Sequence, residues 1–193
     1  MTTTGIGDAA SDLSPPAPGR YAAYELSSEY ERERNHAIIS ALSRAWYGRA
    51  FQPGCSLGEL TAHLARRCVQ VVATDFLPRF VSCTQQRCAK YLNVEVHQAA
   101  LGEGLPAGTF DLIVLGDFGG HFRPAPLVQL VSQMVARLQP GGELVAAHSL
   151  LPRAAGLLYG DAVHFLLGAR LPIECTYSER CEDFRIEVFA RSC

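Results

Sequence analysis

Five residues, Gly54-Cys55-Ser56-Leu57-Gly58, carry a spacing that serves two unrelated chemistries. Read as G-x-S-x-G, the stretch is a hydrolase elbow with Ser56 as nucleophile. Asp111 or Asp117, followed by His148 or His164, would complete the order Ser, acid, His. Read as a glycine loop, it lets the backbone approach a nucleotide-like ligand, and the partner to look for is an acid about 20 residues on, which accepts ribose hydroxyls. Asp75 closes the apolar run Val71-Val72-Ala73-Thr74 at that distance. An elbow follows a central strand of a hydrolase sheet, with several strands already laid down, whereas this loop follows the first strand; its position favours the ligand loop. Glu59 opens the next helix and would repel a pyrophosphate, so a phosphate-free cofactor fits better, and S-adenosylmethionine is the common one.

Four more residues could do chemistry. Arg34 interrupts the apolar stripe Tyr30, Ile38, Ala41, Leu42, Ala45 of a helix expected over 28–44; it either snorkels or pairs with Glu31, or it holds an anionic group where the helix end covers a pocket. Asp117 and His121 follow the run "FDLIVLG" in "GDFGGHF", and His148 ends "GELVAAHS". A carboxylate or histidine at a strand end can orient an acceptor and take its proton. His164 reads as a structural helix residue satisfied by a neighbour such as Asp161.

These residues need elements to position them. Short apolar runs alternate with helical patterns: "RAFQP", then 57–67; "VQVVATD", then 78–91; "VEVHQA"; "FDLIVLGD", then 125–138; "GELVAAHS", then 157–167; then "PIECTYSE" and "DFRIEVFA". Such alternation predicts an α/β fold of the Rossmann-like, doubly wound kind with a mostly parallel sheet, and the last two runs predict an antiparallel C-terminal edge hairpin. Residues 1–20, rich in Ser, Thr, Ala, Pro and Gly, read as a disordered tail, and 21–193 as one domain.

Composition sets the partners. With 193 residues, 48% hydrophobic, and a net charge of -2, the chain has no basic field for nucleic acid or anionic lipid. No apolar run reaches the roughly 18 residues of a membrane span, and the first residues lack a signal peptide's pattern, so a cytoplasmic protein is expected. The 7 cysteines lack C-x-x-C spacing, so no metal site is expected and they read as free thiols.

The segments "YERERNHAIISAL", "FQPGCSLGELTAHLARRC", "VVATDFLPRFV", "FDLIVLGDFGGHF", "LQPGGELVAAHS" and "GDAVHFLL" together resemble the class I S-adenosylmethionine-dependent methyltransferases, and within them the NodS-type small N-methyltransferases. The resemblance runs from about Ser28 to the C-terminus. It implies a seven-stranded sheet with an antiparallel last strand, an N-terminal lid helix, and the cofactor across the carboxyl ends of the first strands. Carried over by position, it makes Arg34 the carboxylate-binding arginine, Gln52, Gly54, Ser56 and Gly58 the methionine-side contacts, Asp75 the ribose acid, and Phe76 and Ala100 further cofactor contacts. Asp117 and His121 become the catalytic pair, and Tyr30 and His148 contact the substrate.

The chain departs from the family in three places. Gln52 stands where a glutamate is usual and cannot pair with the cofactor's ammonium. Ala99 and Ala100 replace the acid that reaches the adenine amino group. Gly119 and Gly120 open the segment after the fourth strand. The resemblance implies N-methylation of a small amine-bearing, sugar-like or natural-product acceptor, by a monomer or homodimer. The alternatives are an O-methyltransferase acting on a small metabolite, or a methyltransferase fold that has become a binding scaffold.

Overall fold

The structure, a computed structural model, describes residues 28–100, 105–151 and 158–192. The tail expected over 1–20 lies outside the described residues, as does Leu157 at the start of one expected helix. In chain order the elements are α1 (Ser28–Ala41), β1 (Tyr47–Pro53), α2 (Glu59–Leu64), β2 (Cys68–Asp75), α3 (Pro78–Cys88), β3 (Val94–Gln98), β4 (Phe110–Gly116), a 3-10 turn (Phe118–His121), α4 (Pro124–Ala136), β5 (Leu138–Ser149), α5 (Gly160–Arg170), β6 (Glu174–Arg180) and β7 (Phe184–Ala190).

The strands form one seven-stranded sheet in the order β3-β2-β1-β4-β5-β7-β6. β7 runs antiparallel to both neighbours, and the other pairings are parallel. This is the doubly wound α/β sheet that the alternation predicts, with one refinement: β7 inserts between β5 and β6, so the hairpin meets solvent through β6 alone. β6 is exposed along its length while β7 is almost wholly buried.

Periodicity explains how each strand serves two cores. In β4, Leu112 and Val114 join the core under α1 and α2, and Ile113 and Leu115 join the one under α4 and α5. A strand covered on both faces has to be apolar throughout, and "FDLIVLG" carries only Asp111 as an exception. Asp111 Oδ2 and Oδ1 accept the N–H groups of Gly48 and Arg49 at 2.6 and 2.7 Å, tying β4 to the start of β1. α4 buries Leu127, Leu130, Val131, Met134 and Val135 at spacings of three and four. Both α3 and α4 open on proline, which is preorganised for a first turn.

Helices α1 to α4 are shorter than the sequence pattern predicts, whereas α5 runs on to Arg170, past its expected end at 167. α1 stops at Ala41 rather than 44, because the chain turns there to enter β1, and Arg67 clasps that turn through the carbonyls of Ala45 and Arg44 at 2.7 and 2.6 Å. α2 begins only at Glu59, since Gly58 is left-handed at φ 77°. Among the described residues, no helix is long and apolar enough to cross a membrane.

The parallel strands send their carboxyl ends to one edge. Between β1 and β4 the winding reverses, with Ala50 and Phe51 in register with Leu112 and Ile113. The connections leaving these two strands diverge, and the crevice between them is where such sheets receive ligands.

Candidate active site

A cavity of about 670 Å³ opens at that crevice. Its wall is built from the ends of β1, β2 and β4, from α1, and from α4 through Leu130 and Met134. Ten residues singled out in the sequence meet there: Arg34, Gln52, Gly54, Ser56, Gly58, Asp75, Phe76, Ala100, Asp117 and His121.

The glycine loop takes its shape from three left-handed residues, Gly54 (φ 70°), Ser56 (φ 51°) and Gly58 (φ 77°). At Gly58 the requirement is also steric, because an added Cβ would lie 2.8 Å from Thr84 Cα on α3. Ser56 pays a conformational cost that glycine would not, and it is held from both sides: its N–H donates to Asp75 Oδ2 at 3.0 Å, and its carbonyl accepts the Thr84 hydroxyl at 2.9 Å. Among the described residues, no histidine hydrogen-bonds Ser56, which removes the hydrolase reading.

Asp75 also accepts the Leu77 N–H at 3.0 Å. Burial pushes its carboxyl above the usual range, against the pull of these two backbone donors. Gln52 is 3% exposed, and its Oε1 accepts the Thr61 hydroxyl at 2.8 Å. A hydroxyl both donates and accepts, so the amide can turn either end toward the cavity. Ala99 is fixed through its N–H to the Asp75 carbonyl at 3.0 Å, and with Ala100 it lines the cavity beyond β2.

Arg34 and Asp117 form a buried ion pair, each under 10% exposed. Asp117 is left-handed at φ 54°. Its Oδ2 takes Arg34 and the Tyr30 hydroxyl, the latter at 3.2 Å, and its Oδ1 takes the Ser149 N–H at 2.7 Å. Burial opposes the Arg34 charge, but Asp117 outweighs it and the pKa of Arg34 rises. One part of the guanidinium is unsatisfied: Nε is buried and has no hydrogen-bond partner. An orphaned charged donor in a cavity wall fits an anionic ligand group.

Two expected substrate contacts stand behind the wall. Tyr30 is 6% exposed and packs edge-on against Phe184, with ring centroids 6.1 Å apart. Its hydroxyl serves Asp117 instead of the cavity. His148 is 1% exposed, because the strand's two-residue alternation turns it under α5 while Ala147 faces the opposite core. There its Nε2 accepts the Gly119 N–H at 3.1 Å, and its Nδ1 meets His164 Nε2 at 3.3 Å. His164 Nδ1 in turn meets Glu187 Oε2 at 2.7 Å. The partner expected for His164, Asp161, pairs with Arg180 and Arg185. A backbone N–H can only donate, so it sets the direction of the whole series: both rings carry their proton on Nδ1.

The sequence reading missed Glu31, Asn35, Glu59, Arg79, Phe80, Leu105, Leu130 and Met134 as wall residues. Glu31 was within reach of that reading, since it lies three residues before Arg34 on the same helix face. The apolar residues carry no local signal beyond belonging to a core.

The methyltransferase-domain family matches residues 51–142. No curated protein matches the chain. Among solved structures, a candidate methyltransferase from Pseudomonas syringae is 34% identical, over 84% of this chain and 99% of its own, with a TM-score of 0.73. N-methyltransferase NodS from Bradyrhizobium japonicum WM9, in complex with S-adenosyl-L-homocysteine, is 23% identical over 93% of this chain and 94% of its own, at 0.76. Magnesium protoporphyrin IX methyltransferase from Synechocystis PCC 6803, with bound S-adenosylmethionine, is 17% identical over 84% and 80%, at 0.66. The last two show a common fold; the first, at its higher identity and coverage, shows the family. The chain belongs to the class I S-adenosylmethionine-dependent methyltransferases.

Proposed function

We propose that this enzyme methylates the nitrogen of a small amine-bearing acceptor, with S-adenosylmethionine held across the carboxyl ends of β1, β2 and β4. The observation that carries the cofactor placement is the pair of opposite charges at separate points of one cavity. The orphaned Nε of Arg34 fits the carboxylate of the amino-acid end, and Asp75 beside the glycine loop fits the ribose hydroxyls. Phe76, Ala99 and Ala100 would flank the base. The cofactor supplies a sulfonium methyl group open to in-line attack. What remains for the protein is to bring a lone pair into line and exclude water, and proximity of this kind is worth several kcal/mol.

An amine supports this reading better than a hydroxyl. Four carboxylates (Glu31, Glu59, Asp75, Asp117) line the cavity against two guanidinium groups (Arg34, Arg79), a balance that favours a basic acceptor. The likeness to an N-methyltransferase points the same way. An attacking amine must be neutral, and His121, in the wall where the turn after β4 ends, is the residue to take its proton. Asp117 is committed to Arg34, Tyr30 and Ser149, and its part is to hold the arginine in place.

Calorimetric titration with S-adenosylhomocysteine tests the cofactor site. Wild type should bind, and Asp75→Ala should lose about 2 to 4 kcal/mol of affinity, the scale of two hydrogen bonds to a charged acceptor, with a thermal melt to check that the variant is folded. Equal affinity in the folded variant would refute the placement.

A further inference from the structure

The cavity wall has to meet two opposite charges at the amino-acid end of the cofactor, an α-carboxylate and an α-ammonium. The ammonium has no obvious partner. Gln52 is a neutral amide already engaged with Thr61. Asp75 is assigned to the ribose hydroxyls in the placement above, and both oxygens of Asp117 are engaged by Arg34, Tyr30 and Ser149.

Glu31 is different. It is half-buried in the wall, one helical turn before Arg34, and it makes no hydrogen bond or ion pair among the described residues. Burial pushes its carboxyl up. Arg34 draws it down, and Glu59, whose carboxylate also belongs to the wall, pushes it up again. Two carboxylates repelling one another across a cavity, beside a guanidinium with an unsatisfied Nε, form a surface complementary to a zwitterion.

We propose that Glu31 is the counter-ion of the cofactor's α-ammonium, so that α1 grips both charges of the amino-acid end, Arg34 the carboxylate and Glu31 the ammonium. The assignment rests on the cofactor placement above. It makes α1 a specificity element: a ligand with the adenosine end but no amino acid would gain nothing from it.

That contrast supplies the test. S-adenosylhomocysteine carries the zwitterion; 5′-methylthioadenosine carries the same nucleoside without it. Both are titrated into wild type, Glu31→Gln and Glu59→Gln, with thermal melts as the folding control. Glu31→Gln should weaken S-adenosylhomocysteine about tenfold or more, the scale of one charge-assisted hydrogen bond, and leave methylthioadenosine unchanged. Glu59→Gln should change either ligand less than about threefold, as a neighbouring charge without direct contact would. Adding Gln52→Glu to Glu31→Gln should restore most of the lost affinity by returning a carboxylate to the same end of the cavity. Unchanged S-adenosylhomocysteine affinity in Glu31→Gln overturns the proposal, while methylthioadenosine binding keeps the cofactor site intact. An equal loss for both ligands also overturns it, since a helix that merely covers the site would produce that result. If wild type bound neither ligand, the cofactor placement would fail and the proposal with it.

Discussion

A carboxylate makes a poor base when its lone pairs already have partners, and Asp117 is in that position; His121 ends the turn that Asp117 opens. The two residues sit four apart, yet their mutants should behave differently. Asp117→Asn leaves Arg34 buried without its counter-charge, which costs about 3 to 5 kcal/mol of stability, measurable by denaturant unfolding. His121→Ala should melt like wild type, bind S-adenosylhomocysteine equally well, and lose about 10²-fold in single-turnover rate on a competent acceptor. A full-rate His121→Ala would leave alignment as the sole source of rate and remove the histidine from the mechanism. The conformational strain at Asp117, φ 54°, fits its holding role: the turn brings its carboxylate to the Arg34 guanidinium and the Ser149 N–H together.

Elements explain why some of this was legible in the sequence. The glycine loop and Asp75 belong to one strand-loop-helix-strand unit, so their spacing in sequence is their spacing in space, and Gly54, Ser56, Gly58 and Asp75 meet as the pattern predicts. The winding of the sheet was legible for the same reason, since apolar runs alternating with helices admit few arrangements. His148 was not legible, because a strand's face depends on a register that one residue reverses, and the sequence shows that it ends the strand without showing which way it points; Tyr30 shares a helix face with Arg34, but its burial depends on Asp117 and Phe184, which are distant in the chain. The pairing of His148 with His164 and Glu187 joins three elements that lie far apart in the chain. No local pattern announces such a set, and each member alone looks like an ordinary buried polar residue. Gly58 offers the element-scale test. With φ 77° and Thr84 Cα only 2.8 Å from an added Cβ, Gly58→Ala must push α3 away from the loop. It should cost more than about 1 kcal/mol in unfolding experiments and weaken S-adenosylhomocysteine, whereas ordinary stability would mean that α3 shifts freely.

For the molecule as a whole, buried acids set the response to pH. Burial raises the Glu187 carboxyl, but hydrogen bonds from His164 and Arg185 outweigh it, and the net shift is downward from 4.5. A depressed acid gives stability that is complete above its unfolded pKa and is lost as the pH falls through its folded value, so this contribution disappears below about 4.5. Asp75 and Glu31 are shifted upward and have the opposite sign: in the ligand-free protein their ionised forms are disfavoured, and acid relieves that cost. The melting temperature should therefore hold through mildly acidic pH and then fall steeply below about 4.5. Glu187→Gln should flatten that acid limb. An unchanged limb in the variant would show that other carboxylates control acid unfolding.

The strand order also has a consequence for how the protein is made. β6 borders the sheet only through β7, and β7 follows both β5 and β6 in the chain. Until residues 184–190 leave the ribosome, β5 presents an unpaired edge, His164 has no Glu187 to meet, and β6 has nowhere to pair. The nascent chain can assemble β1 to β5 in order, but the half of the sheet that carries β5 remains an open, apolar edge of the kind that recruits other strands. Closure of this edge thus waits on a strand made well after β5, and folding in the cell should depend on how well the edge is shielded during the interval before β7 arrives.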